Sequence, residues 1–308
     1  MNYKNIIKSR ELRLKILSSL NWIPDKLMIK IQYRIKTGRK LNLKNPKRFT
    51  EKLQWYKLYY RDPLMAKCSD KYLVRNYVEE KGLSHILNEL YGVYNDVDEI
   101  DFNDLPDKFV LKSTNGGGGN NIIICKDKNK LDVEKAKKQM KKWIIPQKNG
   151  GGREWVYYRY KPKIIAEKYI ESGNKGLIDY KFFCFNGDPK YLYVISERDF
   201  GNNAKFGIFD IDFNKLNYYR KGKSQMTEKI KKPENYEDMI EIAKLLSEDF
   251  PHVRVDLYNL NGKIIFGELT FFNASGYQIY EPDEFDFILG KEFILPPKRP
   301  ENPHDKRK

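Results

Sequence analysis

Arg254, Asp256, Glu268 and Thr270 are residue types that hold metal ions and phosphates, and their spacing lets them meet. Read with the two-residue period of a strand, residues 253–258 place Val253, Val255 and Leu257 on one face and Arg254, Asp256 and Tyr258 on the other. Residues 264–270 place Ile265, Gly267 and Leu269 on one face and Phe266, Glu268 and Thr270 on the other. Asn261-Gly262 between the two runs is a hairpin signal. A three-residue loop of Asn261, Gly262 and Lys263 sets Val255 against Leu269 and Val253 against Phe271. It also puts Arg254 beside Thr270 and Asp256 beside Glu268. A two-residue turn would instead set Val255 against Glu268, a one-residue slip that moves every side chain to the wrong face. Two adjacent carboxylates repel unless a cation lies between them. Their oxygens suit Mg²⁺ shared with substrate phosphates, and Arg254 suits a phosphate oxygen. A surface hairpin with a solvated polar face has the same pattern.

A second anion-binding signal lies upstream. The strand 109–112 ends in Lys112 and runs into Asn115, Gly116, Gly117, Gly118 and Gly119; a further strand covers 121–125. Consecutive glycines expose backbone N–H groups that can fold over phosphates, with Lys112 placed to reach them. The run is neither a P-loop, having no following Gly-Lys-Ser/Thr, nor a dinucleotide fingerprint, because a strand and not a helix follows. A plain flexible hairpin tip fits as well.

The elements that must position these groups follow in order. Residues 1–62 read as helical: Leu14, Leu17 and Leu20 among basic residues, then a helix from about 26 to 36 ending near Gly38. Asn45-Pro46 breaks the chain, and a helix opens at Thr50-Glu51-Lys52. The first of these helices is basic and amphipathic enough to lie on an anionic membrane, and equally reads as a flap packed on the core. Ser69 or Asp70 caps a helix through about Lys81, closed by Gly82. Strands are expected near 91–94 and at 164–170, 179–185 and 190–196, with helices at about 132–143 and 237–250. Residues 148–153, with three glycines, read as mobile. Strands and helices that do not alternate strictly indicate an α+β fold.

Composition narrows the function. The chain has 308 residues, 40% hydrophobic and 14% aromatic, enough for two or three subdomains. Neither a transmembrane run nor a signal peptide is evident, and Cys68, Cys125 and Cys184 read as reduced core residues of a cytoplasmic protein. The three histidines are too scattered for a zinc site. A net charge of +16 favours an anionic partner. With no nucleic-acid module or dense basic stripe, no nucleic-acid partner is expected. The basic tail from Lys298-Arg299 to Lys308 reads as disordered.

Taken together, these motifs resemble the ATP-grasp superfamily, in which two α+β subdomains clamp ATP and a Gly-rich hairpin closes over its phosphates. The resemblance implies nucleotide contacts from Lys71, Lys112, the 115–119 loop, Glu167 and the backbone at Lys168, Tyr169 and Ile170. It implies a ribose contact at Asp179 and a phosphate contact at Lys181. Arg254 and Lys181 would act in phosphoryl transfer, and Asp256, Glu268 and Thr270 would hold Mg²⁺. The superfamily usually has Glu-x-Asn where this chain has Glu268-Leu269-Thr270, so Thr270 is a weaker ligand, with Asn273 as a substitute.

Within the superfamily the chain resembles the TupA-like branch, associated with teichuronopeptide and surface-polysaccharide synthesis. That likeness rests on Asn45-Pro46, Phe49-Thr50-Glu51-Lys52, Ser69-Asp70-Lys71, Phe109-Val110-Leu111-Lys112, Asp179-Tyr180-Lys181-Phe182 and the residues 254–258 and 266–271. The implied organisation is an N-terminal helical extension (1–62), the start of the core (63–104), a lid with the Gly-rich loop (105–172), a catalytic subdomain (173–297) and a basic tail (298–308). The implied activity is ATP- and Mg²⁺-dependent ligation of a carboxylate to an amine through an acyl phosphate. The substrate would be a small or polymer-linked acidic molecule, handled in the cytoplasm or at the inner membrane face. Two alternatives stay open: a glycosyltransferase using Asp210-Ile211-Asp212 or Asp96-Val97-Asp98 to hold a metal, and a catalytically silent nucleotide-binding module.

Overall fold

The computed structural model describes residues 19–117, 121–146, 151–171, 176–196 and 204–300, with residues 9, 12, 16 and 17. Most of the expected first helix and residues 301–308 therefore lie outside the described residues.

Helix α1 (Asp25–Thr37) buries Met28, Ile29, Gln32 and Tyr33 and ends at Gly38, whose φ of +75° suits a residue without Cβ. Asn45-Pro46 does interrupt the chain before α2 (Phe49–Tyr59). There the Glu51 carboxylate accepts hydrogen bonds from the backbone N–H groups of Lys47 (3.0 Å) and Arg48 (3.2 Å). Helix α3 (Pro63–Ser69) was not expected from apolar spacing. It starts on the Asp62 cap with Pro63 in its first turn, a local signal that a seven-residue helix can rest on. Asp70 accepts from the N–H groups of Tyr72 and Leu73, and the chain enters α4 (Val74–Glu80).

Strands β1 (Leu90–Tyr94), β2 (Phe109–Ser113), β3 (Ile122–Cys125) and β4 (Ile164–Lys168) form a four-stranded sheet in the order β1-β4-β2-β3. Helix α5 (Val133–Trp143) covers it, with Phe109, Leu111, Ala136, Met140 and Ala166 in the shared core. This sheet thus takes its first strand from upstream of residue 105.

The second sheet is built from β5 (Asp179–Phe185), β6 (Asp188–Ser196), β7 (Lys205–Asp210), the short β9 (Ser224–Gln225, after a separate β8 at Tyr219–Arg220), β10 (His252–Leu260) and β11 (Lys263–Thr270). Its order is β11-β10-β5-β6-β7-β9, while β8 pairs with β12 (Tyr280–Glu281). Helix α6 (Tyr236–Ser247) backs this sheet and α7 (Glu284–Glu292) packs on α2. Residues directly opposite in adjacent strands share a face. Val253 and Val255 oppose Cys184 and Phe182 in the core under α6. Arg254 and Asp256 oppose Phe183 and Lys181 on the other face.

The hairpin differs from expectation in one respect. Arg254 pairs with Thr270, Val255 with Leu269 and Asp256 with Glu268, as the alternation predicts. The turn, however, has two residues: Leu260 pairs with Lys263 around Asn261 (φ +51°) and Gly262 (φ +85°). The missing residue is a bulge between Asp256 and Leu257, where Gly267 is the extra residue and Phe266 moves opposite Leu257. A Cβ on Gly267 would stand 2.9 Å from the Asp256 carbonyl oxygen, so only glycine fits there.

Two segments expected to be loose are held. Arg153 is buried, donating to Asp25 Oδ1 (3.0 Å) and to the Leu20 carbonyl (2.8 Å), and the Gly151 carbonyl accepts from Gln32 (2.8 Å). Residues 148–150 lie outside the described residues. The start of the basic tail also docks: Arg299 N–H donates to the Tyr59 carbonyl, and Arg61 N–H to the Arg299 carbonyl.

Candidate active site

Three strands of the larger sheet bring the chemistry together. Lys181 on β5, Asp256 on β10 and Glu268 on β11 are direct partners in register and form one row across the face opposite α6. Lys181 Nζ bonds Asp256 Oδ2 and stands 3.3 Å from Asp179 Oδ2. Arg254, one pleat along, grips Asp256 with two bonds, Nε to Oδ1 and NH2 to Oδ2, each 2.7 Å. Its NH2 also reaches Thr270 Oγ1 (3.0 Å) and Glu268 Oε1 (3.5 Å), and its NH1 bonds Asn273 Oδ1. Thr270 in turn donates to Glu268 Oε1 (3.2 Å).

Burial weighs on both Arg254 and Asp256. It works against charge on Arg254, but Asp256 outweighs it and raises the guanidinium above its usual range. Burial likewise works against the Asp256 carboxylate, and Arg254 with Lys181 brings it below the usual carboxylate range. Both Asp256 oxygens are therefore engaged, while the Glu268 side chain is 34% exposed and is the open carboxylate of the pair.

Two carboxylates and a hydroxyl on one patch fit Mg²⁺, which takes one or two protein carboxylates and fills its octahedron with water and phosphate oxygens. Among the described residues no group of three or more His, Cys, Asp or Glu gathers as a self-sufficient metal cage. The donor set thus suits an ion brought in with a phosphate. Asn273, held by Arg254 NH1 and donating to Gln278 Oε1 (3.0 Å), lies at the edge of the same patch.

A cleft lies between the two sheets. Lys71, Arg75, Lys112, Glu167, Ile170, Tyr258, Phe266 and Gly267 are among its walls. Lys112 and Glu167 sit on adjacent strands and pair at 2.6 Å, with Arg75 NH1 4.0 Å from the other Glu167 oxygen. Lys71 crosses to the glycine loop: its ammonium bonds the Gly116 carbonyl and its N–H the Thr114 carbonyl (2.9 Å). Burial lowers its pKa, with Glu268 acting in the opposite direction. Asn115 accepts from Ser113 Oγ (2.7 Å) and donates to the Tyr157 carbonyl (3.3 Å), and Gly117 lies against the Tyr157 ring. Gly118 and Gly119 lie outside the described residues.

The remaining expected contacts are placed as follows. Ile170 is on the cleft wall. Lys168 turns its ammonium to Glu89 (2.9 Å) at the surface, and its backbone N–H and C=O already serve the Glu89 carbonyl and the Asn88 amide. Tyr169 is half-buried with Lys126 over its ring. Asp179 is fully buried beside Lys181.

Three groups at this site were not picked out from the sequence. Arg75 stands four residues after Lys71, a one-turn spacing that could have suggested a second cation at the cleft. Tyr157 is half-buried against the main core, its pKa raised by burial with Glu154 and Glu268 acting in the same direction. Lys57 is buried, with its ammonium bonding Gln54 Oε1 (3.0 Å) and the carbonyls of Gly152 and Ser275 (2.9 Å each). Burial pulls its pKa down to about 7. Those bonds pin an unusual loop after β11, in which Ala274 (φ +47°), Ser275 (φ +55°) and Gly276 (φ +68°) are consecutive left-handed residues. Such backbone persists only where its surroundings impose it. Gln54 and Glu154 help to impose it, bonding Ser275 and Gly276.

The two Asp-x-Asp pairs do other work. Asp210 accepts from the backbone and side-chain amides of Asn214 (2.7 and 3.0 Å), and Asp96 caps a turn through the Asp98 N–H (3.0 Å).

A small antiparallel sheet with a glycine hairpin, set over a larger sheet carrying a Lys-Asp-Glu row, defines the ATP-grasp class. The TupA-like ATP-grasp family matches residues 51–294, and the chain belongs to it. Comparison with curated proteins finds no match. Among solved structures the chain is similar to D-alanine–D-alanine ligase from Bacillus anthracis (17% identity, TM-score 0.41, 66% of this chain and 57% of that one). It is also similar to the same enzyme from Helicobacter pylori (15%, 0.41, 74% and 61%) and to L-amino acid ligase from Bacillus licheniformis (14%, 0.39, 68% and 42%). It thus spans less than two thirds of the length of each.

Proposed function

We propose that the protein is an ATP- and Mg²⁺-dependent carboxylate–amine ligase that joins an amino acid or peptide to an acidic sugar or peptide of a surface polysaccharide. The observation that carries this reading is the Lys181-Asp256-Glu268 row gripped by Arg254, adjoining at Gly267 a cleft with Lys71, Arg75 and Lys112. Phosphoryl transfer needs positioned cations and charge neutralisation, and not a nucleophilic side chain. Asp256 and Glu268 would hold Mg²⁺, which supplies neutralisation of phosphate charge. Arg254 and Lys181 would bind the transferring phosphoryl group. Lys71 and Lys112 would orient the nucleotide, and the glycine loop would exclude water above it. A substrate carboxylate oxygen then attacks the γ-phosphorus as the bond to ADP breaks. The amine displaces phosphate from the acyl carbon and gives up its proton.

Work on surface polymers from an ATP-supplied compartment fits the family and the basic charge. No helix among the described residues is long and apolar enough to cross a membrane. The glycosyltransferase reading loses support because Asp96 and Asp210 hold turns and Asp98 pairs with Lys141 (2.8 Å). The test is ADP release across pairs of uronic acids or acidic peptides with amino acids. Release that needs both a carboxylate and an amine is expected. Absence of release from every pair, with ATP still bound, would favour the silent nucleotide-binding module.

A further inference from the structure

We propose that the outer face of α1 docks on an anionic lipid surface. Leu27, Ile31 and Ile35 are 51%, 40% and 54% exposed, and Trp22 just upstream is 78% exposed. The four-residue spacing aligns the three aliphatic residues in a stripe along the helix. One position before each stands an exposed cation: Lys26, Lys30 and Arg34. The only acid of the helix, Asp25, is turned inward to Arg153 (3.0 Å) and Arg61 (3.6 Å). An exposed arc that is half aliphatic and half cationic, with a tryptophan at one end, matches the boundary between lipid headgroups and acyl chains.

Charge argues against the other occupants. A second copy of the chain would set Lys26, Lys30 and Arg34 against their equals. Residues 1–18 of the chain carry Lys4, Lys8, Arg10, Arg13 and Lys15 against Glu11 alone, so they too would bring like charge. A soluble polyanion would satisfy the cations and leave the aliphatic stripe in water.

The inner face of the same helix touches the site. Gln32 donates to the Gly151 carbonyl (2.8 Å) and accepts from Tyr277 OH (2.7 Å), next to the left-handed loop. A bilayer on the outer face therefore lies one helix diameter, about 10 Å, from the loops that Gln32 holds.

The test is co-sedimentation of the full chain with vesicles of phosphatidylcholine alone or mixed with phosphatidylglycerol. Two variants accompany it: Leu27→Gln with Ile31→Gln and Ile35→Gln, and Lys26→Gln with Lys30→Gln and Arg34→Gln. All six positions are exposed, so both variants keep the fold, and ATP binding reports on it independently of vesicles. Binding is expected to the anionic vesicles only, and each variant should weaken it about tenfold or more. Three results would overturn the proposal. One is no binding by the unaltered chain. Another is binding that neither variant weakens, or that only the cation variant weakens, which would indicate a soluble polyanion as the partner. The last is a dimer in light scattering that the aliphatic variant dissociates.

Discussion

Asp256 and Glu268 are direct cross-strand partners, and the residue that makes them so is Gly267. The type of turn formed by Asn261-Gly262 would shift β11 by one residue, and the bulge at Gly267 shifts it back before the carboxylates are reached. Because a Cβ there would press on the Asp256 carbonyl, Gly267→Val should force the pair apart. We expect a loss of about 1–3 kcal/mol in urea unfolding, typical of overpacking, and loss of ADP release beyond what that instability explains. Unchanged turnover in a folded Gly267→Val would mean that the pairing does not depend on the bulge.

Thr270 is committed on both sides, accepting from Arg254 and donating to Glu268. An Asn there offers a longer, more dipolar oxygen, and Mg²⁺ readily keeps water where a ligand falls short. Thr270→Asn is expected to keep or raise turnover at low Mg²⁺, and Glu268→Gln to abolish it. Mg²⁺ titrations of the three proteins decide. Loss of activity in Thr270→Asn would show that the hydroxyl's two bonds matter more than metal reach.

How far the sequence disclosed this site depends on the physics behind each part. Strand alternation placed Arg254, Asp256, Glu268 and Thr270 on one face because a single slip would turn them into the apolar core with Val253, Val255 and Leu269, so the pattern is strongly constrained. The turn was misjudged because parity alone cannot tell an odd loop from a two-residue turn followed by a bulge. Gly267 carried that signal, as an isolated glycine within a strand. Residues 151–153 read as mobile because glycine reports conformational freedom of the chain and says nothing of Gln32, Lys57 and Asp25 waiting to hold it. Lys57 was invisible for a related reason: a lysine on a helix is ordinarily solvated, and only tertiary structure surrounds it with three acceptors.

Lys57 makes its own prediction. Its ammonium ties α2 to Gly152 and to Ser275 in the left-handed loop, and Asn273 at the head of that loop meets Arg254. Lys57→Met keeps the bulk and removes the donors. Hydrogen bonds to charged groups are worth about 1.5–3 kcal/mol, so a stability loss in that range is expected. The kcat should fall while ATP affinity stays, since the cleft lysines are untouched. An equal fall in ATP affinity would mean that the loop supports the nucleotide as well.

His252 supplies a pH dependence. It is fully buried among Phe49, Phe183, Phe185 and Phe293, and its Nδ1 bonds the Cys184 carbonyl at 2.9 Å. Burial pulls its pKa down to about 3. The folded chain therefore keeps it neutral below the ordinary value near 6.5, where the unfolded chain takes up a proton. Its contribution to stability is full above about pH 6.5 and is lost as pH falls towards 3, by about 1.4 kcal/mol per unit. Between pH 7.5 and 5.0 the loss from this one group should be about 2 kcal/mol. Urea unfolding of the unaltered chain and of His252→Asn at both pH values checks it. An identical pH slope in the two would exclude His252 as the source.

Lys112 and Glu167 pair at 2.6 Å on the cleft wall, so each shapes what the other presents to a nucleotide. On the proposed reading, removing the lysine deletes a phosphate contact and also leaves a carboxylate facing an anion. Charge-assisted contacts of this kind are worth about 1.5–3 kcal/mol, so Lys112→Ala should weaken ATP binding about tenfold or more. Adding Glu167→Gln removes the repulsion and should restore part of the affinity. The two changes in one protein should therefore cost less than the sum of each alone, as expected for residues in contact. Calorimetry of the four proteins with ATP and Mg²⁺ measures the coupling. Strict additivity would mean that Lys112 and Glu167 act on separate parts of the nucleotide, and unchanged affinity in Lys112→Ala would remove the lysine from the site.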